Sequence, residues 1–196
     1  MGKKNENNTT GKCSAGCIAR LPNRLTIFRV ILTPIFVAFL LCHSIPGHLW
    51  IALIVYMLAS VTDYLDGRIA RKYNLISDFG KFLDPIADKI LVAAALVIFS
   101  YCHWIDPVAV FLILAREMLI SGIRMTAAAR GAVIAADISG KLKTFFTLIT
   151  IIVILFLHCT GRNDTLLSET LIWISVILTW VSGIRYLNTC RDYVRF

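Results

Sequence analysis

Hydrophobic residues run along this chain in six long stretches, at about 25–43, 49–67, 85–102, 107–129, 142–159 and 168–187, separated by short polar segments. A membrane-spanning helix needs about 20 residues to cross a hydrocarbon core of about 30 Å, and all six stretches are long enough, some with tilt. No segment shows the strict alternation of a half-buried strand, and no internal repeat is present. The pattern predicts an all-α, polytopic membrane protein with six transmembrane helices. An even number of crossings returns the chain to its starting side. Leu21-Pro22-Asn23 marks the entry into the first helix. Residues 1–20, rich in Asn, Thr, Gly and Lys, lack an apolar period and read as a flexible polar tail, which leaves 21–196 as the membrane domain.

Composition agrees with this pattern. Of 196 residues 58% are hydrophobic and 16% charged, and the mean hydropathy is +0.75. These values exclude a disordered chain, a coiled coil and a secreted disulfide scaffold. The six cysteines are scattered and read as small apolar residues. Those at 42, 102 and 159 fall, with His43, His48, His103 and His158, at the outer ends of the spans, without the tight spacing of a metal site.

The net charge of +8 changes meaning once its placement is considered. With the N-terminus inside, nineteen of the twenty Lys and Arg residues fall on the inner side and only Arg162 on the outer. Both termini are therefore expected to be cytoplasmic. The basic surplus faces anionic headgroups or anionic substrates, and a nucleic-acid partner gains nothing from it.

Acids carry the chemistry. Four of the chain's twelve, Asp63, Asp66, Asp84 and Asp88, sit at the facing ends of two consecutive spans. Asp63, Asp66, Gly67 and Ala70 fall within one stripe of a helix, and Gly80, Asp84 and Asp88 follow one another at steps of four. Two antiparallel helices would thus point two carboxylates each into one space, with small residues leaving room for a ligand. From Leu49, Asp63 lies about 21 Å along its helix, roughly 9 Å short of the inner boundary and within reach of a lipid phosphate. Clustered carboxylates repel, and hard divalent cations with oxygen ligands are the natural neutralisers. Structural alternatives exist for the parts: Asp84 before Pro85 has the form of a helix N-cap, and Asp63 and Asp66 have Arg68 and Arg71 as interfacial partners. A small cation transporter is the rival class, although the acids cluster at one membrane end and no inverted repeat accompanies them.

The spacing Asp-x2-Asp-Gly-x2-Ala-Arg-x8-Gly-x3-Asp-x3-Asp, from Asp63 to Asp88, resembles without departure the signature of the CDP-alcohol phosphatidyltransferases. Pro22-Asn23, Thr26, Arg29, Ala115-Arg116-Glu117, Arg124 and Gly140-Lys141-x-Lys143-Thr144 look like its phosphatidylglycerophosphate synthase branch. The resemblance implies a six-helix enzyme of the inner cell membrane, usually a homodimer, with its active site at the cytoplasmic face. It would transfer the phosphatidyl group of CDP-diacylglycerol to sn-glycerol 3-phosphate and release CMP. Asp63, Asp66, Asp84 and Asp88 would bind two divalent ions, Mg2+ or Mn2+, with Asp88 also the catalytic base. Asp66, Gly67, Ala70, Arg71, Gly80, Asn23 and Thr26 would surround the CDP-bearing donor. A cardiolipin synthase of the same family, using phosphatidylglycerol as acceptor, is the nearest alternative.

A phosphorylated acceptor needs cations of its own. Arg116, Ile120 and Arg124 lie along one stripe at steps of four, Lys141 and Lys143 follow, and Arg185 comes from the last span. Lys141 and Lys143 point to different sides of a regular helix, so one of them is expected to meet the substrate. An Arg within a span is costly unless paired, so Arg116 has a second role open to it, as partner of an acid such as Glu117 on a neighbouring helix.

Overall fold

The computed structural model describes residues 21–73, 78–129, 138–162 and 164–190, with side chains over 27–62, 89–126, 140, 142–162 and 164–188. Among the described residues there are six α-helices and no strand. They are α1 (Leu21–Leu41), α2 (His48–Tyr73), α3 (Asp78–Tyr101), α4 (Pro107–Ala129), α5 (Ile138–Cys159) and α6 (Thr165–Cys190). Each apolar stretch has its helix. The polar tail expected over 1–20 lies outside the described residues.

Helix ends and apolar ends differ in an informative way. α2 runs on past residue 67 through Arg68-Ile-Ala-Arg-Lys72 to Tyr73, because Arg, Ala and Lys are good helix formers and a loss of apolarity does not end a helix. α3 begins at Asp78, so Asp84-Pro85 sits inside the helix and is not its N-cap. This corrects the structural alternative for Asp84. The capping pair operates instead at Asp106-Pro107, where the Asp106 Oδ1 accepts the Val108 N–H at 2.9 Å and Pro107 takes the first helical position of α4.

Three tight connections close one end of the bundle. After α5, Gly161 adopts φ +71°; its N–H bonds to the His158 carbonyl at 3.2 Å and that of Arg162 to the Leu157 carbonyl at 3.0 Å. After α3, His103 takes the left-handed position at φ 58°, with the matching bonds from His103 to Ser100 and from Trp104 to Phe99. Both satisfy carbonyls that the last turn of a helix leaves open. Trp104 stacks on His158 with ring centroids 3.7 Å apart, and Trp50 meets Phe156 edge-on at 5.9 Å. These contacts tie the α3–α4 connection and the start of α2 to the end of α5. Cys42, Cys102 and Cys159 at this end are free thiols.

α1 packs on α2 and α3, α3 on α4, α2 on α5, α5 on α6, and α4 on α6. The core joins Phe36 and Leu40 of α1, Tyr56 of α2, Leu96 and Phe99 of α3, Ile113 of α4, Ile154 and Leu155 of α5 and Ile172 of α6. The outside is apolar as well: Ile31, Phe111, Phe145 and Ile177 are all more than half exposed, a surface that water penalises and lipid tails accept. Thr150 of α5 and Ser175 of α6 share a buried hydroxyl hydrogen bond at 3.2 Å, the kind of polar contact that joins helices where apolar contact alone is weak. Segments Leu142–Cys159 and Thr165–Asn188 are long and apolar enough to cross a membrane.

Candidate active site

At the other end of the bundle all six helices line one cavity of about 330 Å3. α1 supplies Arg29, α2 Tyr56 and Ser60, and α3 Lys89. α4 contributes Arg116, Glu117, Ile120 and Arg124, α5 Gly140 and Lys143, and α6 Ser182 and Tyr186. Among the described lining residues five are cationic (Arg29, Lys89, Arg116, Arg124, Lys143) and only Glu117 is acidic. An enclosed surface of this sign concentrates anions.

Arg116, only 6% exposed, is held from two sides. Its NH1 donates to Glu117 Oε1 at 3.3 Å and its NH2 to Ser182 Oγ on α6 at 3.2 Å. The same Glu117 oxygen accepts the Lys143 ammonium from α5. Glu117 thus supports two cations, which explains how charged groups persist at this depth. The acid partner foreseen for Arg116 is confirmed in identity but lies on its own helix. Arg124 is exposed at the cavity rim, with its guanidinium 5.6 Å from the centre of the buried Tyr186 ring, a cation–π contact.

Of the residues expected to bind the acceptor phosphate, the fold brings Arg116, Arg124 and Lys143 to one wall, with Ile120 between the arginines. Gly140, beside Lys141, lines the same space, and the side chain of Lys141 lies outside the described residues. Arg185 is exposed and is not part of the lining, although its neighbour Tyr186 is. Asn23 and Thr26 stand on α1, Asp63, Asp66, Gly67, Ala70 and Arg71 on α2, and Gly80, Asp84 and Asp88 on α3. Their side chains lie outside the described residues.

Several lining residues were not assigned to the site from sequence. Arg29 was counted among the inner-side cations and the residues that carry the family resemblance but was given no role in the site, yet it is 2% exposed and faces the cavity. The cost of burying an arginine in the first span is the signal that identifies it. Tyr56, Ser60 and Lys89 adjoin the aspartate motif on either side and offered position as their only signal. Ser182 and Tyr186 had none, since their partners lie more than 60 positions away.

A helical membrane bundle enclosing a cationic cavity beside an aspartate motif defines a class of proteins that handle phosphorylated ligands at a bilayer. The family model of the CDP-alcohol phosphatidyltransferases matches residues 19–181, and the chain belongs to that family. A Rickettsia bellii protein named CDP-diacylglycerol–glycerol-3-phosphate 3-phosphatidyltransferase is 38% identical over 176 residues, covering 88% of this chain and 96% of its own. Proteins of the same name from Bacillus subtilis (36% identity, 86% and 93% coverage) and Yersinia pestis (35%, 86% and 93%) are also similar to it.

Proposed function

We propose that this protein transfers the phosphatidyl group of CDP-diacylglycerol to sn-glycerol 3-phosphate, giving phosphatidylglycerophosphate and CMP. The observation that carries this reading is the convergence of Arg116, Arg124 and Lys143 on a cavity that the helices of both motif halves also line. Its relatives bear the name of that reaction.

Helix register supports a shared site. Asp63 follows the lining residues Tyr56 and Ser60 by seven and three positions on α2. Asp88 precedes Leu91 and Val92 of the lining by three and four positions on α3. Each spacing returns to about the same side of a helix. Among the described lining residues the only carboxylate, Glu117, is already committed to two cations. Metal binding therefore falls to Asp63, Asp66, Asp84 and Asp88, whose all-oxygen chemistry suits Mg2+ or Mn2+. Asp63, Asp66, Asp84 and Asp88 would hold divalent ions whose Lewis-acid charge would offset that of the diphosphate and of the CMP leaving group.

The protein's own groups do the rest. Arg71 gives charge-assisted hydrogen bonds to the donor phosphates, and Gly67, Ala70 and Gly80 let the nucleotide approach the backbone. Arg116, Arg124 and Lys143 hold the acceptor phosphate. Asp88 accepts the proton of the acceptor hydroxyl as that oxygen bonds to the β-phosphorus, and the bond from this phosphorus to the CMP oxygen breaks. Six crossings, cytoplasmic termini and an active site at the cytoplasmic face of the inner membrane accord with the nineteen-to-one distribution of basic residues. A homodimer is part of the same reading.

The test is an acceptor panel in mixed micelles containing CDP-diacylglycerol, with CMP release as the readout. Glycerol 3-phosphate is expected to support turnover; release with phosphatidylglycerol instead would make the protein a cardiolipin synthase of the same family.

A further inference from the structure

The two arginines of α4 that face the cavity each meet α6, by different means. Arg116 donates to Ser182 Oγ at 3.2 Å, and Arg124 lies over the Tyr186 ring at 5.6 Å. Between these anchors Gly183 has no side chain, and Arg116 passes through the space: a Cβ there would stand 3.0 Å from its Nε and 3.4 Å from its Cγ. Such an approach is tighter than most real Cβ contacts, so a side chain at 183 requires the arginine to shift by a few tenths of an ångström.

We propose that Ser182, Gly183 and Tyr186 form a positioning face that gathers the two arginines into a single phosphate clamp. This rests on the acceptor assignment made above and deepens it. Arg116 and Arg124 leave α4 about 12 Å apart along its axis, whereas their anchors on α6 are only about 6 Å apart, at about 1.5 Å per residue. The anchors on α6 thus lie closer together along the axis than the points where the arginines leave α4, so α6 draws two like charges towards each other, against their repulsion. Arginine is flexible until held, and restraining it in advance removes an ordering cost from substrate binding. Ser182 and Tyr186 touch the arginines and act through them. Gly183 acts through the space it leaves.

The experiment measures steady-state CMP release by the full-length protein in mixed micelles, varying glycerol 3-phosphate and CDP-diacylglycerol in turn. Tyr186→Leu is expected to raise the KM for glycerol 3-phosphate about threefold, while Tyr186→Phe, which keeps the aromatic face, retains the native value. Gly183→Ala is expected to raise it about three- to tenfold through displacement of Arg116. In each impaired variant the rise exceeds any change in kcat, and the KM for CDP-diacylglycerol moves less than about twofold. The positioning role is overturned if Tyr186→Leu and Gly183→Ala leave the glycerol 3-phosphate KM unchanged. It is equally overturned if both KM values rise together or if Tyr186→Phe is as impaired as Tyr186→Leu. Arg116→Ala and Arg124→Ala are run beside them: if these raise the acceptor KM and the α6 variants do not, only the positioning role fails. If the arginine variants leave it unchanged, the acceptor assignment fails and takes the clamp with it. Should Gly183→Ala not fold, the Tyr186 pair decides.

Discussion

Glu117 of α4 accepts a hydrogen bond from the ammonium of Lys143 on α5. The bond spans the cavity wall and fixes two cations that would otherwise repel, since Arg116 shares the same carboxylate oxygen. Glu117→Gln keeps the shape and removes the charge. With the Glu117 side chain 19% exposed, the expected loss is about 2 kcal/mol, below that of a fully buried pair. It would appear as a lower Tm in detergent, and Glu117→Gln with Lys143→Met should recover part of it. Additive losses would show that the pair is not coupled.

Arg116→Ala and Arg124→Ala are expected to raise the KM for glycerol 3-phosphate more than that for CDP-diacylglycerol. Losing a charged hydrogen-bond partner costs about 1.5–3 kcal/mol, a change of roughly ten- to a hundredfold. Equal effects on both substrates would reduce Arg116 to the ion partner of Glu117.

Activity is expected to stop in excess chelator and to return with Mg2+ or Mn2+, because carboxylates meet a diphosphate only through a cation. Full CMP release in chelator would remove the metal from the proposed function.

Asp88 and Asp63 are expected to fail differently. Asp88→Asn keeps the shape but cannot take a proton, so turnover should vanish while metal-dependent binding of CDP-diacylglycerol largely persists. Asp63→Asn should weaken metal and donor binding together. If donor binding is lost equally in both, Asp88 is a ligand and not the base.

The orientation of the chain is open to chemical labelling. In a variant retaining only Cys190, a membrane-impermeant thiol reagent is expected to react with inverted vesicles and not with intact cells. Labelling in intact cells would reverse the proposed topology.

Much of the fold was legible because a bilayer imposes a coarse rule: each apolar stretch became a helix. Caps were harder to read. Asp84-Pro85 and Asp106-Pro107 are the same pair of residues, yet only the second caps a helix; residues 78–83 continue the first helix upstream, and no dipeptide reveals that. The stripe through Arg116, Ile120 and Arg124 was visible from its spacing and does face the cavity. Of what holds it, Glu117 was foreseen as a partner of Arg116, and the α6 contacts were not. The Arg116–Ser182 hydrogen bond joins residues 66 positions apart, and it exists only through the packing of α4 on α6.

Because every helix contributes to the cavity wall, no partial chain contains it. α6 carries the anchors of both α4 arginines, so the site is incomplete until α6 has packed on α4. A chain stalled short of α6 would sit in the bilayer without drawing on the pool of activated lipid. During refolding from detergent denaturant, CMP release should recover no earlier than the fluorescence of Trp173 and Trp180 on α6, with Trp50 and Trp104 replaced by phenylalanine. Earlier recovery would mean that five helices suffice.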